Sequence, residues 1–186
     1  MKKQIKTFKG FTLVEMLVVM GILIILMTLG IAAGRFALQR ANKIQHQDAV
    51  NQLHQGFSAY YADNREFPKT ATFASFSAAL GENGALQQYI DQKAFDGGSD
   101  STYYYATETT GQSILVCVSY GGFADEKAMG GYCQGNGFGV LPTSGTKVQT
   151  KDLSATEFNT EVVANVGSNA GQFVATNWSA TTKNWQ

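Results

Sequence analysis

From Phe11 to Gly34 the chain is almost unbroken apolar sequence, with Glu15 the one strongly polar residue and Thr12 and Thr28 mildly polar. Met16–Gly34 supplies nineteen uncharged residues, about 28 Å as an α-helix and close to the hydrocarbon thickness of a bilayer. A core helix of a soluble domain keeps a polar face, so this run predicts membrane insertion. Beyond it the pattern changes period without breaking. No helix breaker except Gly56 interrupts Arg35–Asp63, and Val50, Leu53, Phe57 and Tyr60 recur at three- and four-residue steps. That spacing is one stripe of an amphipathic helix. The two stretches together predict a single helix from about Phe11 to Ala62, roughly 75 Å long at 1.5 Å per residue. Asp63-Asn64 are turn formers, and Pro68 biases Phe67 away from the helical region.

Residues 72–80 place Phe73, Phe76 and Leu80 on one face, and residues 85–95 do the same with Leu86, Tyr89 and Ile90. These read as short helical pieces separated by Gly81 and Gly84. A period of two follows. Thr102–Thr107 is rich in tyrosine, and after Thr110-Gly111-Gln112 the residues Ile114, Val116, Val118 and Tyr120 alternate with Leu115, Cys117 and Ser119. Two such runs around a glycine turn predict a β-hairpin. Tyr132–Leu141 predicts a third strand weakened by Gly135, Gly137 and Gly139. The sheet is expected to cover the apolar face of the long helix. From Thr143 the chain turns rich in threonine, asparagine and serine and reads as a C-terminal surface strand region or a partly mobile tail.

Composition narrows the choice of function. The 186 residues carry 14 basic and 14 acidic side chains, so no global charge argues for a nucleic-acid or polyanionic partner. The 22 aromatic residues and long apolar runs exclude a disordered chain. Local charge matters more. Lys2, Lys3, Lys6 and Lys9 precede the apolar run with no acid among them, and Arg35, Arg40 and Lys43 follow it. A secretory signal peptide accounts for the basic start, but its apolar core is normally shorter and carries no carboxylate. A plain transmembrane anchor fits the length. It leaves Glu15 unexplained, since a charge at membrane depth costs about 2.5–3.5 kcal/mol even on the lenient insertion scale.

The stretch Lys9-Gly10-Phe11-Thr12-Leu13-Val14-Glu15 closely resembles the prepilin signature of type IV pilins and type II secretion pseudopilins. The resemblance covers roughly the first thirty-five residues. It implies a leader of residues 1–10, cleavage between Gly10 and Phe11 by a membrane prepilin peptidase, and N-methylation of Phe11. It places Glu15 at the position whose carboxylate pairs with a Phe11 amine, in its own chain or a neighbour's, during assembly. Implied partners are further copies of the chain or mixed pilins in a filament, the prepilin peptidase/methyltransferase, an inner-membrane assembly platform and the membrane itself, with DNA or a host surface as external targets. The implied localisation is a membrane-inserted prepilin and then an extracellular filament.

The same resemblance implies an α+β, lollipop-shaped fold, with the helix of residues 11–62 (residues 11–34 its transmembrane and assembly half) packed on a small antiparallel sheet. Residues 63–142 would form the globular αβ-loop and sheet domain, and residues 143–186 the C-terminal addition. Removing the leader leaves 10 basic against 14 acidic residues, a mildly acidic surface. The expected function is that of a pilus-like structural subunit serving adhesion, motility or DNA uptake. The alternatives are a pseudopilin of type II secretion or competence and a membrane-anchored binding domain that does not assemble.

Little else in the chain suggests chemistry. Cys117 and Cys133 stand sixteen apart. In an exported domain they form a disulfide worth roughly 3 kcal/mol, and otherwise a pair of buried thiols. His46 and His54, eight apart, do not make an HExxH zinc site and read as solvated helix positions. Asp96 and Asp100, with Asp91 nearby, outline a weak oxygen-rich cation loop, and a plain turn is the better reading. Lys127, Lys147, Lys151 and Lys183 are scattered lysines of the kind that favour solubility. No nucleophile elbow or Walker lysine is present, so neither an enzyme nor a cofactor is expected.

Overall fold

The computed structural model describes residues 10–69, 80, 84–142, 145–167 and 169–186, omitting the side chain of Ala32. The leader lysines, the first short helical piece with Phe73 and Phe76, and Thr143 lie outside the described residues. The chain forms two compact units, Met1–Arg40 and Ala41–Gln186.

Helix α1 runs Leu13–Asn64, starting two residues after the expected position and ending two residues beyond it. It closes where Arg65 takes a left-handed conformation (φ 62°) and donates its N–H to Tyr61 O at 2.8 Å. In the first unit its apolar side chains, Leu13 through Ile31, are exposed. This is the one helix among the described residues long and apolar enough to cross a membrane.

The second unit is built on a six-stranded antiparallel sheet, comprising β1 (Ser101–Thr107), β2 (Ile114–Ser119), β3 (Gly131–Gly135), β4 (Asp152–Leu153), β5 (Val174–Ser179) and β6 (Asn184–Trp185). Their order is β4-β3-β2-β1-β5-β6. The tyrosine run and the alternating run pair as the expected hairpin, with Tyr103 opposite Val118 and Tyr105 opposite Val116. Alternation sorts their side chains onto two faces. Tyr103, Tyr105, Ile114, Val116 and Val118 join Val50, Leu53 and Phe57 of α1 in one core. Tyr104, Ala106, Leu115 and Cys117 enter a second core on the opposite face. Phe57 stacks on Tyr105 with ring centroids 5.3 Å apart. The helical stripe read from the sequence therefore meets the sheet stripe read from the sequence.

Three expectations are corrected. First, the segment after Thr143 carries strands, as expected, but several of its residues lie in the core and not at the surface. It supplies β5, which pairs with β1 from Ser101↔Trp178 to Tyr105↔Val174, and so places β1 inside the sheet. It also supplies helix α2 (Ala155–Glu161), whose Phe158 is buried with Val162 and Phe173 in the second core. Strand β1 is buried along all seven residues. A strand with such a sequence needs a neighbour on each edge and cover on each face, and its C-terminal partner was hidden by the polar residues that alternate with Trp178.

Second, residues 85–89 form a turn, and only Gln92–Phe95 is helical, as a 3₁₀ turn with Asp91 as its N-cap. Leu86 and Ile90 are buried as expected, but Ile90 packs against Gly56 of α1, where a Cβ would collide with it. This close approach sets the path of the segment more strongly than helical periodicity does. Third, the strand expected over Tyr132–Leu141 stops at Gly135. Gly135 has φ 148°, and a Cβ there would meet the backbone carbonyl of Ile114.

Candidate functional site

The N-terminal junction is built locally. Gly10, Phe11 and Thr12 precede the helix, and Phe11 is 77% exposed. Thr12 ends this segment as an N-cap. Its backbone N–H and hydroxyl donate to Glu15 Oε2 at 3.0 and 2.9 Å, and the Glu15 N–H donates back to Thr12 Oγ at 3.3 Å. This reciprocal pattern is a capping box, which satisfies free amides at the start of a helix. It also places the carboxylate in the first turn, where the helix dipole favours negative charge. The expected processing residues Gly10 and Phe11 are thus exposed and outside the helix, with Glu15 one turn inside it.

Comparison with known families bears on this junction. Residues 5–31 match the prokaryotic N-terminal methylation motif. The chain carries a class III, prepilin-type signal. The long helix packed on an antiparallel sheet is an α+β, pilin-like arrangement. No curated protein matches the chain, and no solved structure does.

The other candidate residues go separate ways. Cys117 and Cys133 sit directly opposite each other on β2 and β3 and are joined by a disulfide, with Cα atoms 4.0 Å apart. Asp96 faces Lys183 at 3.6 Å, and Asp100 Oδ1 accepts the Ala180 N–H at 2.8 Å. Asp91 Oδ1 accepts the Lys93 N–H at 2.9 Å. The three carboxylates are therefore spent on a cap and on holding the β5–β6 turn. Among the described residues no group of three or more His, Cys, Asp and Glu side chains is placed to hold a metal. Lys127 lies in the β2–β3 loop, Lys147 and Lys151 precede β4, and Lys183 lies in the β5–β6 turn, so no single element gathers them.

The expectation of solvated histidines is corrected at His46, which is 1% exposed. Its ring lies under Gly98, where φ is +86° and a Cβ would come 2.8 Å from ring Cε1. Its Nε2 is 3.3 Å from Ser99 Oγ. Burial pushes its pKa down to about 4, because the charged ring would lose its hydration. His54 is half-buried, and its pKa is lowered by burial first and by the Lys151 charge second. Position in α1 hid this: His46 lies one turn before the clear apolar stripe begins at Val50.

A polar cluster that the sequence reading missed ties the C-terminal segment to α1. Gln47 Nε2 donates to Tyr120 Oη at 2.8 Å and to Asp152 Oδ1 at 3.2 Å. Lys43 Nζ is 3.6 Å from Asp152 Oδ1 and 4.7 Å from the centre of the Tyr120 ring. The sequence does carry one signal for this region, the capping box Ser154-Ala-Thr-Glu157 that opens α2.

Proposed function

We propose that this chain is the structural subunit of a type IV pilus-like filament, made as a membrane-inserted prepilin and polymerised through α1 after cleavage between Gly10 and Phe11. The observation that carries this reading is the conjunction at the N-terminus. An exposed Gly10–Phe11 junction stands just before a helix that carries Glu15 in its first turn and an exposed apolar surface from Leu13 to Ile31. Each part has a physical use. The leader lysines hold the precursor's first residues on the cytoplasmic side. Cleavage creates an amine at Phe11, a cation able to pair with a carboxylate that is otherwise costly in lipid. A pair formed between subunits would fix the register of stacked helices.

The work of the subunit is mechanical and adhesive, and no enzymatic step is assigned to it. The disulfide between Cys117 and Cys133 suits an oxidising exterior. Intact-mass and N-terminal analysis of protein from the host's sheared surface fraction tests the reading. The expected chain begins at N-methylated Phe11 and is found in filaments by electron microscopy. A chain that keeps Met1, or one cut near Ala33, overturns it. A Glu15→Ala variant is expected to insert in the membrane but to lose at least tenfold in filament yield. Normal yield would remove the role given to Glu15.

A further inference from the structure

Between Glu15 and Asp48 the chain has no acidic residue, and the cations in that interval are Arg35, Arg40 and Lys43. Lys43 is engaged by Asp152 and the Tyr120 ring. Arg35 and Arg40 are exposed, and among the described residues neither forms an ion pair. Arg35 directly follows Gly34, the last residue of the uncharged run. When Met16–Gly34 fills the hydrocarbon core, the next part of the helix crosses the headgroup band, roughly 5–8 Å deep on each side of the bilayer. Arg35 and Arg40 are five residues apart, about 7.5 Å along the axis, so both side chains reach that band. Phe36 and Leu38 between them are exposed, giving an apolar body at the same boundary. A guanidinium presents paired N–H donors that match two phosphate oxygens.

We propose that Arg35 and Arg40 form a binding collar for anionic phospholipid headgroups at the C-terminal end of the apolar span. The collar rests on the membrane-inserted reading of α1 and adds to it a partner and a role. Phosphate contacts fix the depth of the helix in the bilayer and hold the processed subunit there until assembly extracts it. The leader lysines do not replace the collar, because they lie at the other end of the span and leave with the leader.

Native mass spectrometry of the full-length chain and of its processed form, each released from mild detergent, tests the collar with phosphatidylglycerol, phosphatidylcholine and inorganic phosphate. Both forms are expected to retain phosphatidylglycerol over phosphatidylcholine. The double variant R35Q/R40Q is expected to lose that preference, at about fivefold per arginine. K43Q should keep it, and R35K/R40K should keep most of it. An unchanged preference in R35Q/R40Q overturns the proposal, as does a preference that vanishes on leader removal alone. Displacement of the lipid by equimolar inorganic phosphate also overturns it, because the site would then be a general anion site. Near-ultraviolet circular dichroism checks that each variant is folded. A parent chain that shows no preference for phosphatidylglycerol, yet still starts at Phe11 and still forms filaments, would refute the collar and leave the filament reading intact.

Discussion

The two halves of α1 are one unbroken helix with opposite surroundings. In the half up to Arg40, Leu, Ile, Val and Met side chains are exposed on all sides; in the half from Ala41, Val50, Leu53 and Phe57 are fully buried against the sheet. Both halves have good helix formers, so propensity does not separate them. What separates them is the angular distribution of apolar residues. A helix that is apolar all round requires an apolar medium, whereas one with a single stripe requires only a single partner surface. The first half has no such surface within its own unit, and the second finds it in β1 and β2. The second half therefore buries its stripe on the sheet, and the first half presents an apolar surface that its own unit does not cover.

This contrast is open to direct attack, and its largest lever is a buried ring. Phe57→Ala removes the side chain stacked on Tyr105 and should cost about 3–5 kcal/mol in urea unfolding of the detergent-held chain. Phe36→Ala, in the exposed half, should stay within about 0.5 kcal/mol in the same assay. Equal effects would mean that the first half also packs on the protein.

Next in size is the buried histidine. The folded-state pKa of His46, about 4 against an ordinary 6.5, means that the unfolded chain binds the extra proton between those values. Stability should be full above pH 6.5 and fall through that window by on the order of 3 kcal/mol. His46→Gln should flatten that part of a stability–pH curve measured by chemical denaturation. A curve unchanged by the substitution would show that another group governs it.

The disulfide is a similar lever inside the second unit. Cys117→Ser should lower stability by roughly 3 kcal/mol, the loop-closure value for residues sixteen apart, without changing detergent-phase partition of the chain. Iodoacetamide labelling without reductant checks the pairing in the parent protein, where neither Cys117 nor Cys133 should react. The smallest lever is a pair of glycines. Gly56→Ala drives a methyl group into Ile90 and should destabilise by about 1–3 kcal/mol. Gly21→Ala meets nothing within 4 Å and should gain helix stability by about 0.5–1 kcal/mol, read by circular dichroism in micelles. If Gly21→Ala instead impaired assembly, a neighbouring helix would have to approach it closely in the filament.

The legible parts of this protein are those in which cause and effect lie close together in the chain. The apolar run, the stripe of Val50, Leu53 and Phe57, the Gly10-Phe11…Glu15 spacing and the β1–β2 hairpin all follow from neighbours within a few residues, because helix period, strand period and turn chemistry are local. The N-terminal methylation motif of residues 5–31 belongs to this class, and so it was legible from adjacent residues.

The burial within the polar C-terminal segment was not legible, for the complementary reason. Its threonines and asparagines look solvated when counted, yet Thr176 and Trp178 are buried because Tyr103 and Ser101 stand opposite them on β1. No local pattern encodes that pairing. The same holds for His46 under Gly98, for Asp100 bound to the Ala180 amide, and for Cys133 facing Cys117. By itself the sequence determined which half of α1 is apolar all round and where the N-terminal methylation motif lies, since hydrophobicity and short motifs are properties of adjacent residues. Only the tertiary structure decided which strands flank β1, what covers the second face of the sheet and which polar groups lose water, because burial depends on residues brought together across the whole chain.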